Sequence, residues 1–132
     1  CFDLPDDGMH YLAKATMVNL SGCKHITDTG LRYLSHVKNI NVGYCDNITN
    51  DGLRHLTNAT AANLQSCDNI SDDGLRHLTR VERINLSDCK NITNDGLRNL
   101  KNASIIRLAR CPNITNEGLR HLTNSTTIYT II

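Results

Sequence analysis

Six cysteines stand at Cys1, Cys23, Cys45, Cys67, Cys89 and Cys111, each 22 residues after the one before. Thiols can cross-link, ligate a metal or attack an electrophile. Equal steps place each thiol above the last in a stacked fold, about 4.8 Å away if neighbouring strands pair. That distance permits a disulfide, but parallel Cβ vectors aim the sulfurs poorly for one. No Cys-x-x-Cys or clustered His accompanies them, which argues against a zinc ladder. The column reads as buried thiols acting as small apolar side chains.

Other reactive side chains recur at the same step. His55, His77 and His121 form a partial column, interrupted at Asn99, and read as a solvated face rather than a metal site. Arg32, Arg54, Arg76, Arg98 and Arg120 would repel if stacked alone. Asp51, Asp73, Asp95 and Glu117 lie three residues before the last four of them, a spacing that allows neutralising pairs on a helix. The stretch Asn47-Ile-Thr-Asn-Asp-Gly52 has some of a calcium loop's oxygens, but Asn58 stands where the bidentate Glu belongs. No acid–base pair, Gly-x-Ser-x-Gly or phosphate-binding glycine loop is present, so neither catalysis nor a cofactor is expected.

The glycosylation acceptor Asn-x-Ser/Thr is over-represented. It occurs at Asn19, Asn47, Asn58, Asn69, Asn85, Asn91, Asn102, Asn113 and Asn124. With 16 Asn and 20 Ser or Thr in 132 residues, chance supplies about two or three. Asn47, Asn69, Asn91 and Asn113 share one repeated motif, in which the Ser or Thr is a helix N-cap. Asn58, Asn102 and Asn124 fall on turns where a helix ends, with no evident fold reason for the following Thr or Ser, and are the preferred candidates for N-linked glycans.

The elements that position these residues follow from the period. Gly8, Gly30, Gly52, Gly74, Gly96 and Gly118 keep the same step, and once-per-coil glycines point to backbone geometry rather than a ligand. The 132 residues divide into units 1-22, 23-44, 45-66, 67-88, 89-110 and 111-132, a single solenoid domain without an insertion. In the second unit Leu31, Leu34 and Val37 suit a short helix, with Thr27 as N-cap and Asp28 in the first turn. Ile40 and Val42 alternate with Asn39 and Asn41, which suits a strand with one buried face. Inward columns run through Val18, Leu20, Ile26, Leu31 and Leu34 and their equivalents. One coil buries too little to offset ordering its own backbone, so it needs its neighbours.

The string Val37-x-x-Ile40-x-Val42-x-x-Cys45-x-x-Ile48-Thr49, continuing into Asn-Asp-Gly-Leu-Arg, resembles the leucine-rich repeat in its cysteine-containing subtype. The resemblance covers all six units. It implies an α/β, right-handed solenoid of six 22-residue coils, with a parallel β-sheet on the concave side and short helices on the convex side. The subtype usually has about 26 residues per unit, so the helices here should be short. Asn19, Asn41, Asn63, Asn85, Arg107 and Tyr129 should then line the concave binding face; the asparagines can either bond along the stack and stiffen it or equally offer a polar surface to a protein or a glycan. Arg83, Arg107 and Arg110 are the expected charged contacts.

Net charge is +1, from 14 basic and 13 acidic side chains, which argues against a nucleic-acid partner. No apolar run approaches the ~20 residues of a membrane span, so membrane insertion is not expected. A chain opening with Cys at a unit boundary reads as an excerpt of a longer array. The apolar first and last units would recruit another chain, and unclosed head-to-tail recruitment gives a filament. The preferred expectation is a non-catalytic scaffold, self-associating end to end into an extracellular fibre with N-linked glycans. The alternative is a cytoplasmic protein-recognition module, such as the substrate-binding repeats of an F-box ubiquitin-ligase receptor, although no F-box is present in this sequence. Its partner would be an unknown protein on the concave face.

Overall fold

A computed structural model of the chain describes residues 4–125 and 127–130. Six strands, β1 (Met17–Asn19), β2 (Asn39–Asn41), β3 (Ala61–Asn63), β4 (Arg83–Asn85), β5 (Ile105–Arg107) and β6 (Thr127–Tyr129), form one sheet in chain order. Every pairing is parallel and every register is 22 residues, as in Val18↔Ile40 and Ile84↔Ile106. The ladder continues past each strand: Leu20 N–H donates to Asn41 O and Val42 N–H to Asn63 O. Parallel pairing requires a crossover between strands, and each coil supplies one turn of helix for it.

Those helices are α1 (Asp28–Leu31), α2 (Asn50–Leu53), α3 (Asp72–Leu75) and α4 (Asn116–Leu119), with 3-10 turns at Asp6–Leu12 and Gly96–Asn99. They are shorter than the apolar spacing predicts. Leu34 and Val37 lie beyond α1, on successive turns closed by Leu34 N–H to Leu31 O and Val37 N–H to Leu34 O. The side chains are buried as expected; only the backbone between them is not α-helical.

The core is a continuous spine. The Val18, Leu20, Ile26, Leu31 and Leu34 columns are buried through the central coils. At the first and last coils Leu4, Leu12, Ile114, Leu119 and Ile128 are only partly covered.

One corner of the coil is strained. Tyr44, Ser66, Asp88 and Arg110 have φ of 61, 56, 64 and 55°, and Gly22 has 70°. Each immediately precedes a ladder cysteine. Tyr44 N–H still reaches Gln65 O, while the next N–H, on Cys45, turns back to Val42 O. The left-handed residue thus diverts the chain from the sheet ladder into the core.

Candidate functional site

The outward face of the sheet forms a shallow trough of about 430 Å³, floored by strand residues of β1 to β5. Five of the six expected concave residues, Asn19, Asn41, Asn63, Asn85 and Arg107, line it, and Tyr129 lies on β6 beyond it. A second outward column was absent from that expectation apart from Arg83. It also holds Met17, Asn39, Ala61, Ile105 and Thr127, because strand alternation exposes the first and third residue of each three-residue strand. Met17 is 70% exposed. The trough is therefore more apolar than the asparagine column alone suggests.

Of the two readings of the asparagine column, a ladder bonded through its oxygens along the stack does not form. Each Oδ1 instead accepts from its own coil two residues on: Asn19 from Ser21 N–H, Asn41 from Gly43, Asn63 from Gln65 and Asn85 from Ser87, all at 3.0 Å. This local turn satisfies an N–H that has left the strand. It also fixes the orientation of the amide. Asn85 Nδ2 makes a long 3.4 Å bond to Gln65 Oε1.

Charge on this side collects toward the later coils. The Arg107 guanidinium lies 4.9 Å from the Tyr129 ring centroid, a cation–π contact. Arg110 does not join the face as a free cation. It makes two bonds to Asp88, Nε to Oδ1 and an Nη to Oδ2, both at 2.6 Å. That guanidinium holds the Asp88 carboxyl below the usual carboxylate range.

The cysteine column has a polar role beyond packing. Cys45, Cys67, Cys89 and Cys111 are free and buried. Each thiol donates to the strand-end carbonyl of the previous coil: to Leu20, Val42, Leu64 and Leu86, at 3.0 to 3.2 Å. The same carbonyls accept the N–H of the preceding cysteine. Burial pushes the Cys67 and Cys89 thiols up to about 12, and those of Cys45 and Cys111 upward as well. They are protonated donors, not nucleophiles. The expectation of free thiols throughout fails at Cys23, which is disulfide-bonded. Cys1 lies outside the described residues.

The glycosylation candidates all have structural partners. Asn47, Asn69, Asn91 and Asn113 donate Nδ2 to the carbonyls of Lys24, Asp46, Asp68 and Lys90, at 2.6 to 2.7 Å. Asn58, Asn102 and Asn124 donate to Ser35, Thr79 and Lys101, at 2.7 to 3.0 Å. A fold reason for the following hydroxyls also exists: Thr60 Oγ1 donates to Lys38 O and Ser104 Oγ to Glu82 O. Thr126, the hydroxyl residue of the last acceptor, lies outside the described residues.

A third ladder runs through Asp28, whose expected role was confined to complementing the helix dipole. Asp6, Asp28, Asn50, Asp72 and Asn94 accept, through Oδ1, the backbone N–H of Thr27, Thr49, Ser71, Thr93 and Thr115 in the next coil, at 2.8 to 2.9 Å. Where the acceptor is Asp28 or Asp72, the Thr hydroxyl donates to the second carboxylate oxygen and keeps a lone pair to cap its helix. Where it is Asn50 or Asn94, Nδ2 donates to the hydroxyl, and no cap bond forms at Ser71 or Thr115. The same ladder explains the glycines. A Cβ at Gly52, Gly74, Gly96 or Gly118 would collide with this Asp or Asn oxygen, so the requirement is close approach and not positive φ.

His55, His77 and His121 are half-buried; the Arg98 Nε–H points to His121 Nε2 at 3.4 Å. Among the described residues, no group of three His, Cys, Asp or Glu could hold a metal, and no helix is long and apolar enough to cross a membrane. Of the expected Arg pairs at three-residue spacing, Asp95–Arg98 closes, at 3.4 Å.

Comparison with known proteins agrees with the geometry. A family profile described as Leucine Rich repeat matches residues 16–35 and 76–101. No curated protein matches by sequence. Among solved structures, the chain is similar to yeast Rad7 in its complex with Elc1, with 18% identity, TM-score 0.77, and coverage of 96% of this chain and 39% of that one. It is similar to internalin C2 of Listeria monocytogenes, with 19% identity, TM-score 0.74, and coverage of 98% and 57%. It is also similar to a chain of the Toll–Spatzle complex of Drosophila, with 13% identity, TM-score 0.74, and coverage of 95% and 18%. At these identities the likeness is one of fold. The chain spans between 18% and 57% of the length of these solved chains.

Proposed function

We propose, from the premise that this chain is a leucine-rich-repeat protein and hence an interaction scaffold, that it binds another protein across the outward face of its sheet. One observation carries this reading. Met17, Ala61 and Ile105 lie exposed or half-exposed among asparagine amides and arginines, on one trough crossing five strands. Apolar surface rimmed by polar groups is what protein interfaces use. The test is capture of a partner from source material on the immobilised chain, compared with capture by Ala61→Trp or Asn39→Trp, which fill the trough. Capture that these variants leave undiminished refutes the reading.

A second reading is end-to-end association into an N-glycosylated extracellular fibre. It is favoured by Ile114, Leu119 and Ile128 at the last coil, which are only partly covered. A further coil or a second copy would bury them. Sedimentation across a concentration series tests the association, and a single monomeric species refutes it. Intact mass before and after amidase treatment tests the glycans, and an unmodified mass refutes them. The cytoplasmic counterpart, a ubiquitin-ligase receptor repeat, would use the trough in the same way; isolation of the natural polypeptide with or without a linked F-box separates the two.

A further inference from the structure

We infer that the outward sheet face recognises an extended acidic segment of a partner protein, held by amide and guanidinium donors. The inference rests on the trough being the binding face, and it adds the chemistry of the occupant.

Three observations carry it. First, the oxygens of Asn19, Asn41 and Asn63 are tied to their own backbones, which leaves their NH2 groups as donors on the outward face; Asn85 is tied alike, but its Nδ2 also donates to Gln65 Oε1 at 3.4 Å. Along the stack these donors recur about every 4.8 Å, the spacing of paired strands. Second, the six strands contain no Asp or Glu, while β4 and β5 contribute Arg83 and Arg107. The acidic neighbour Asp88 is held by Arg110, and Glu82 lies one residue outside β4. The face therefore offers donors and positive charge but no carboxylate. Third, Arg83 and Arg107 are on adjacent strands, two residues out of register, since Arg83 pairs with Ile105 and Asn85 with Arg107. One strand spacing and two residue rises separate them by about 8 Å. Side chains two apart on an extended peptide are about 7 Å apart, so carboxylates at that spacing can reach both guanidiniums. Upstream, peptide carbonyls would accept from the asparagine amides, with Met17 and Ala61 beneath apolar side chains.

A single-stranded nucleic acid fits less well. It needs open aromatic faces for its bases. The strands offer only Tyr129, whose ring carries Arg107.

The test uses fluorescein-labelled peptides of about twelve residues, long enough to cross the sheet when extended. One alternates Ser and Asp, the other Ser and Asn; a uridine oligonucleotide of similar length is the third probe. Anisotropy titrations should show the Asp peptide binding about tenfold more tightly than the Asn peptide, with the advantage shrinking as salt rises. Arg83→Gln/Arg107→Gln should abolish that advantage while leaving the circular dichroism spectrum unchanged. These arginines are exposed, so the variant should fold; Arg83→Lys/Arg107→Lys should restore most of the binding. No binding of the Asp peptide, equal binding of both peptides, indifference to the arginine change, or preference for the oligonucleotide each overturns the inference. Binding of the Asn peptide that Ala61→Trp abolishes but the arginine change does not would keep the trough and discard the acidic occupant. Binding that Ala61→Trp leaves intact would discard the trough as well.

Discussion

Gly74→Ala tests the claim that adjacent coils interlock through the Asp/Asn ladder. In isolation the change should help, because Ala is favoured over Gly in a helix by about 1 kcal/mol. Here the added Cβ would stand 2.5 Å from Asn50 Oδ1 and 2.9 Å from Leu53 Cδ1. Asn50 is not free to swing away. Its Oδ1 accepts from Ser71 N–H at 2.9 Å and its Nδ2 donates to Ser71 Oγ at 2.8 Å. Leu53 is fully buried. Relief therefore requires losing about 1 kcal/mol for each bond and about 1–3 kcal/mol for overpacking. Against the helix gain, net destabilisation of about 2–4 kcal/mol is expected. Urea unfolding followed by circular dichroism measures it. Asn50→Ala alone removes the bonds and should cost about 1–3 kcal/mol. With the oxygen gone, the double variant should be little worse than Asn50→Ala. If Gly74→Ala is neutral or stabilising, or if the two costs simply add, the interlocking argument is wrong.

Three further outcomes follow from the other ladders. An unfolded thiol ionises near the ordinary 9.0, whereas folded Cys67 and Cys89 hold their protons to about 12. The unfolded state loses protons first, so their contribution is complete below pH 9 and is lost as pH rises toward 12, by about 5 kcal/mol for the pair at pH 11. Urea melts at pH 8 and pH 11 should show this, and Cys67→Ala/Cys89→Ala should flatten the difference. At Ser66, with φ of 56°, Gly should be tolerated while Val costs about 1–2 kcal/mol more; equal thermal midpoints would contradict the left-handed corner. At exposed Asn91, Ala should cost under about 1 kcal/mol by losing the bond to Asp68 O. Asn91→Asp should cost more by setting a carboxylate against that carbonyl, and a melting point no lower than that of Asn91→Ala would remove the case for this ladder.

The repeat made much of the fold legible. Apolar columns from Val18 to Ile106 and from Leu31 to Leu97 repeat without slippage, and period alone places them on one inward spine. Thr27 and Thr49 were readable as caps because capping is a contact within one coil. Contacts between coils were much less legible. Asp28 looks like any first-turn acid until Thr49 arrives 21 residues later to use both its oxygens. Asn47 reads as a glycan acceptor because the same three letters that invite a sugar also build a bond to Lys24 O. The candidate face is only half legible for another reason. An asparagine column stands out by its repetition, whereas Met17 and Ala61 look like ordinary apolar residues unless the outward phase of a three-residue strand is known.

The distribution of these ladders bears on how so short a unit holds together. A four-residue helix has almost no independent stability, since nucleation costs more than one turn returns. The convex side cannot rest on helix packing alone. Side chains of one coil instead satisfy backbone groups of the adjacent coil at three places: Asp28 at Thr49 N–H, Asn47 at Lys24 O, and the Cys45 thiol at Leu20 O. All three serve a neighbour and not the coil that supplies them. Each such bond spans one interface, and losing it uncouples the two coils that the interface joins. Asn91→Ala and Asn113→Ala, which remove bonds of 2.6 and 2.7 Å at two successive interfaces, should accordingly each quicken hydrogen exchange in both coils that flank the lost bond. Exchange that quickens only in the coil carrying the substitution would mean that each coil's stability is local, and that the ladders decorate the stack without coupling it.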